Sequence, residues 1–229
     1  MQQTTILGFR NREEKHLLEQ EVFSITKNFQ KLFETKLNAP MTIRLHFSRK
    51  SFDKQLGRHT QEWEVGNISQ ENTLNIFHPD AMEKYSTHNR AEFTSILKHE
   101  IAHIFISHPA RGKTVPLWLN EGLAMYLAGQ VQDYSSSANY YIEKSFYEKI
   151  STQQGWDKHA NYEAYKYACL FVYFLIKRYS IKTLLTLLKK LDRIYYPPNF
   201  DKTFQQVFKI KLSKAETDFI KSLNLNSID

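Results

Sequence analysis

An α+β fold is predicted for this 229-residue chain, with a small antiparallel or mixed sheet and a long helix first and a mainly helical lobe after it. Three observations carry the prediction. Apolar residues recur at helical spacing over 12–37, short alternating segments cluster between 42 and 77, and from Asn89 onward nearly every segment has a helical period while strand signals vanish.

Taken in order, Leu17, Leu18, Val22, Ile25, Phe29, Leu32 and Phe33 form one apolar stripe, which predicts a long amphipathic helix packed across a sheet. Segment 42–47 alternates Ile43 and Leu45 with polar residues and reads as a strand; 63–65 and 73–77 read the same way, with 66–72 as the hairpin loop between them. The character changes near Pro79. Asn89 and Glu92 form an N-cap and N3 pair opening a helix through about His108, and Gly129 stops a helix over 117–128. Further helices are expected over 138–150, 162–179, 181–191 and 213–223, the last capped by Ser213 with Glu216. No internal repeat or low-complexity linker divides the chain, so 1–229 reads as one domain, with a sheet-containing part over 1–88 and a helical part over 89–229.

The composition supports a packed core: 41% of residues are hydrophobic, 16 Phe and 13 Tyr supply bulk, and Gly and Pro are scarce at 7 and 6. The single cysteine, Cys169, excludes an internal disulfide and sits in an apolar helical run as a small buried hydrophobe. No apolar stretch is long enough to span a bilayer, and 1–11 lacks the core of a signal peptide. With Met1 as the native start the expected compartment is the cytoplasm; a removed signal peptide would make it secreted or envelope. The formal charge of +7 comes from dispersed lysines, with no helix-turn-helix, Cys/His finger or aromatic RNA-binding signature beside it, so a nucleic-acid partner is not expected.

The chemistry-bearing motif is His99-Glu100-Ile101-Ala102-His103, an HExxH inside the helix predicted from Asn89. Histidines at i and i+4 lie on one helix face a turn apart, so both imidazoles can reach one ion. A catalytic zinc takes three protein ligands and keeps one position open, so a third ligand is needed. Glu121, in the second helical segment, becomes available if 107–115 loops back to set the two helices antiparallel.

The HExxH helix followed by Trp118-Leu119-Asn120-Glu121-Gly122-Leu123-Ala124 resembles the gluzincin zinc peptidases, most closely the peptidase MA-like group and the aminopeptidase N family with its W-x-x-E-G-x-A segment. The correspondence covers about 91–128. It departs from the aminopeptidase pattern in the spacing of 17 residues between His103 and Glu121, one fewer than usual. It also has Met125 where thermolysin-like members carry an aspartate. The resemblance implies a thermolysin-like catalytic architecture with the zinc site in the cleft between sheet and helical parts. One Zn2+ per chain would be bound by His99, His103 and Glu121, with Glu100 as general base.

The implied activity is hydrolysis of a peptide or protein substrate. Segment 161–168 is similar to the family's Y-x-x-G/S-A segment, which makes Tyr165 the candidate electrophile, with Tyr162 one turn earlier as the alternative. Strand 73–77 resembles the family's edge strand, so Asn75 is a candidate substrate-binding residue. The G-x-M-E-N segment of aminopeptidases has no good counterpart, since Asp80-Ala81-Met82-Glu83-Lys84 lacks its glycine and asparagine. Glu83 therefore reads as a surface residue, and the expectation is an endopeptidase, or a peptidase whose end preference the sequence leaves open. His78 reads as a surface or cleft residue and His108 as a helix-end residue. An inactive, regulatory relative that keeps the zinc fold is the competing expectation; the intact Glu100 argues against it.

Overall fold

A computed structural model describes residues 4–37, 40–70, 72–110, 113–131, 145–159, 163–192 and 197–225. The fold is mixed α+β, and the chain forms two compact units, Met1–Phe105 and Ile106–Asp229, with the boundary inside one helix.

The first unit is built on a four-stranded sheet. Strand β1 (Thr4–Leu7) leads into helix α1 (Arg12–Phe33), which returns the chain to β2 (Met41–His46). β1 and β2 pair in parallel, a geometry that needs such a crossover helix. Asn11 caps α1, its side-chain oxygen accepting from the Glu14 N–H at 2.9 Å, and Leu18, Val22, Ile25, Phe29 and Phe33 form the buried stripe. The helix ends where Glu34 takes the left-handed conformation, three residues before the predicted end at Leu37. After β2 come helix α2 (Arg49–Leu56), β3 (Gly66–Gln70) and β4 (Thr73–Phe77).

The strand order is β1-β2-β4-β3, with β2 and β4 parallel and β3 antiparallel to β4. Two expectations are corrected here. The segment expected as a hairpin loop supplies β3, so Gly66 begins a strand that runs to Gln70. And β4 lies inside the sheet, whose edges are β1 and β3: Asn75 is on a central strand, not an edge strand.

Both faces of the sheet are covered. Ile43, Leu45, Leu74 and Ile76 form one buried face, with Ile43 opposite Leu74 and Leu45 opposite Ile76. On the other, Phe52 of α2 meets His46 at 5.4 Å and Phe77 at 5.0 Å between ring centroids. That second face carries a polar seam. His46 Nε2 donates to Asn75 Oδ1 at 3.3 Å, Asn75 Nδ2 donates to Ser69 Oγ at 2.8 Å, and His46 Nδ1 lies 3.0 Å from Ser51 Oγ. Asn75 is fully buried, and these bonds offset its desolvation. The Arg49 guanidinium clamps the approach to β3, donating to the carbonyls of Glu62 at 3.0 Å, Glu64 at 2.6 Å and Tyr85 at 2.6 Å.

Helix α3 (Pro79–Tyr85) starts on a proline at its first position, so Pro79 opens a helix where the sequence suggested only a break. Its cap is His78, which is 1% exposed and not a surface residue: Nδ1 accepts from the Asp80 N–H at 3.2 Å and Nε2 donates to Glu14 Oε1 at 2.7 Å. Arg10, Asp80 and Arg90 surround this pair, and Phe47 stacks on the imidazole at 4.1 Å.

Burial holds the His46 and His78 imidazoles below the usual histidine range, although Asn75 and Glu14 respectively oppose the shift. Unfolded histidine takes up a proton near about pH 6.5, so below that pH the unfolded chain binds more protons than the folded one. Stability therefore falls as pH drops from about 6.5 toward the lower folded pKa, by at most about 1.4 kcal/mol per pH unit for each histidine. Glu14, lowered against its own burial by hydrogen bonds from Arg10 and His78, extends the same trend to lower pH. Melting curves from pH 7.5 to 5.5 should show the loss, and His78→Asn should reduce the slope; an unchanged slope would remove His78 from the account.

Asn89 accepts from the Ala91 N–H at 2.9 Å and caps a short 3-10 turn, Arg90–Glu92, that runs directly into α4 (Phe93–Ala110). Within the first unit, Phe105 of α4 packs edge-on against Phe29 of α1 at 5.6 Å.

The second unit is helical among its described residues. It contains α5 (Leu117–Ala128), α6 (Phe146–Lys149), α7 (Gln153–His159), α8 (Glu163–Tyr179), α9 (Ile181–Lys190), α10 (Pro197–Phe208) and α11 (Leu212–Leu225). Of the helix expected over 138–150, the part before Ser145 lies outside the described residues. The core gathers on α8: Phe171 stacks with Tyr147 at 4.1 Å and meets Trp118 and Phe219 at 5.3 Å each. Cys169 is buried on the same helix. No described helix is long and apolar enough to cross a membrane.

Candidate metal centre

Helix α4 buries Leu97, Ile101, Ala102 and Phe105 completely, which leaves His99, Glu100 and His103 partly accessible. The two imidazoles project from adjacent turns with ring centroids 4.7 Å apart and planes at 81°. Their Nε2 atoms approach to 3.0 Å. Two nitrogens bound to one tetrahedral ion at the usual metal–nitrogen length sit about 3.3 Å apart, so this pair is nearly spaced for shared ligation.

Glu121 comes from α5, whose position follows from local sequence. Pro116 precedes the helix, and its carbonyl accepts from the N–H groups of Leu119 and Asn120, both at 3.0 Å; the Leu117 N–H donates to the Ser151 carbonyl at 3.0 Å. Gly129 ends the helix with φ 84°, a conformation that favours glycine. Trp118, Leu119 and Leu123 are fully buried. Gly122, next to Glu121, is a contact glycine: a Cβ there would lie 2.3 Å from the Ala168 carbonyl oxygen and 2.8 Å from Val172 Cγ2. Alanine would gain about 1 kcal/mol of helix propensity, but the obstacle is the backbone of α8, so the helices can approach this closely only over glycine.

His99, His103 and Glu121 each offer one ligand atom, and these atoms lie within 4.8 Å of one another. No other such group of three or more His, Cys, Asp or Glu occurs among the described residues. Two imidazoles and a carboxylate, all partly accessible, fit a zinc ion that keeps a position open for water or substrate. Met125, which stands where thermolysin-like members carry an aspartate, is buried and apolar.

Glu100 lies against the sheet edge. A Cβ built on Gly66, the first residue of β3, would fall 2.4 Å from Glu100 Oε1 and 2.6 Å from its Cδ and Cγ. Gly66, which falls in the segment expected as a loop, opens a run of alternating polar and apolar residues, the sequence signal of a glycine within a strand.

Tyr165 stands on the first turn of α8, partly accessible, with its ring edge-on to the buried Trp156 at 4.8 Å. Tyr162 lies outside the described residues. Tyr167 is core, 2% exposed, and its carbonyl accepts from the Tyr147 hydroxyl at 3.3 Å. Asn75 is buried in the polar seam, its side chain directed to His46 and Ser69. Glu83 is exposed, as expected, and His108 falls in the last turn of α4.

Residues 26–224 match the model of a protein family described as the Peptidase MA superfamily. No curated protein matches the chain.

Proposed function

Because the chain belongs to the Peptidase MA superfamily, we propose that it is a zinc-dependent endopeptidase, with His99, His103 and Glu121 as metal ligands and Glu100 as general base. The observation that carries the reading is the convergence of the HExxH histidines and Glu121 on one small volume, in a chain of peptidase-like family.

A zinc ion held by His99, His103 and Glu121 would supply Lewis-acid chemistry, acidifying a bound water and polarising the scissile carbonyl. Glu100 lies one residue along α4 from His99 and accepts a proton from the attacking water. Its conjugate acid then delivers that proton to the departing amine, so the base is regenerated in each turnover. Tyr165 is the proposed electrophile, donating its phenolic hydrogen bond to the oxygen that gains charge as the carbonyl becomes tetrahedral. The endopeptidase assignment is supported by the lack of an amine-binding glutamate segment: Glu83, the nearest counterpart, is exposed on α3.

Protein purified without chelators should contain about one zinc per chain by elemental analysis. Incubated with a diverse peptide library, it should cleave internal bonds. Cleavage confined to terminal residues would refute the endo preference. A zinc-loaded protein that cleaves nothing would favour the non-catalytic alternative.

A further inference from the structure

We propose that Gly66 is a positioning residue for Glu100: the bare α-carbon at the start of β3 forms a seat that fixes where the base's carboxylate lies. The proposal rests on the reading of Glu100 as general base, and deepens it by naming what holds that base.

Gly66 has no conformational need to be glycine, because its φ lies outside the left-handed region, unlike Gly8, Gly57 and Gly129. The need is spatial. Cγ, Cδ and Oε1 of Glu100 all lie within 2.6 Å of the point a Cβ would occupy, so the stem and the carboxylate both run over this one residue. Elsewhere on the same face of the sheet stand large side chains, Ile43, Leu45, Leu74 and Ile76. Gly66 is paired opposite Ile76 and is the notch in that surface.

A methyl group placed in the notch must displace something, and the surroundings decide what moves. The strand cannot retreat easily. The Val65 carbonyl accepts from the Phe77 N–H at 2.9 Å, and the Glu64 carbonyl is held by Arg49 at 2.6 Å. α4 is anchored by fully buried Leu97, Ile101 and Phe105. The Glu100 side chain, with three rotatable bonds and partial exposure, is the soft partner. Alanine at position 66 therefore turns the carboxylate aside while leaving fold and metal ligands in place. A base displaced by about 1 Å loses rate without losing substrate.

The test is Gly66→Ala in the zinc-loaded protein. Zinc content should stay at wild type and the melting temperature should shift by about 3 °C or less. kcat should fall about 10- to 100-fold with KM within about twofold, the split expected for a misplaced base and not for a damaged fold. A crystal structure of the variant should show the Glu100 carboxylate moved by about 1 Å or more. An unmoved carboxylate, or an unchanged kcat in an active enzyme, overturns the proposal. If wild type itself hydrolyses no peptide, the peptidase reading fails, and the crystallographic displacement still decides whether Gly66 seats Glu100. Should Gly66→Ala fail to fold, adding Glu100→Ala removes the stem the methyl group meets and should restore folding; no recovery overturns the contact.

Discussion

Replacing Glu100 with glutamine should leave about one zinc per chain and lower peptide hydrolysis by about 100- to 10,000-fold. Glutamine matches glutamate in size, so it fits the same space over Gly66, and α4 keeps its buried anchors. What is lost is the basic oxygen, since an amide cannot take a proton from water at neutral pH. The measurement is paired: elemental analysis for metal, and kcat on the best peptide from the library. A variant that retains zinc and cleaves at the wild-type rate would remove Glu100 from the chemistry.

The ligand variants should behave differently. His103→Ala and Glu121→Ala are each expected to weaken zinc binding by about 1,000-fold or more, beyond the 10- to 100-fold that loss of an outer partner costs. Activity then falls to background because the ion is gone. After gel filtration without added zinc, each variant should carry a small fraction of an equivalent, with circular dichroism near wild type. Full zinc retention by Glu121→Ala would show that the third ligand is another group. Together with Glu100→Gln, these variants separate loss of metal from loss of base.

The parts of the fold that could be read from sequence are those where local signals agree. α5 begins and ends as expected because Pro116 and Gly129 punctuate it, and α1 is legible as a helix because its stripe repeats over many turns, although it ends before Leu37. HExxH was legible for the same reason: i and i+4 on a helix is a local geometry. Helices α2 and α7 each bury one large residue, Phe52 and Trp156, so no period marks them. α3 was hidden because its cap is a histidine, an uncommon N-cap whose role depends on Glu14 from a distant helix. The order of strands is a tertiary property: nothing within 73–77 tells whether β3 or β4 lies outermost, and the expected edge strand was displaced by one place. The need for glycine at position 66 is tertiary: the alternation after it marks a strand, but only the packing of Glu100 over it shows why no side chain fits.

The close approach of α5 to α8 at Gly122 bears on what the proposed zinc binding would cost. Glu121 stands on a helix held by its own packing, with Trp118, Leu119 and Leu123 fully buried and the α8 backbone beneath Gly122. Small zinc modules spend much of the ion's binding free energy on folding the chain. Here the helix that carries Glu121 is already ordered by apolar contacts, so a zinc ion bound by the proposed ligands would cost little ordering entropy, and most of its binding free energy would be left for affinity.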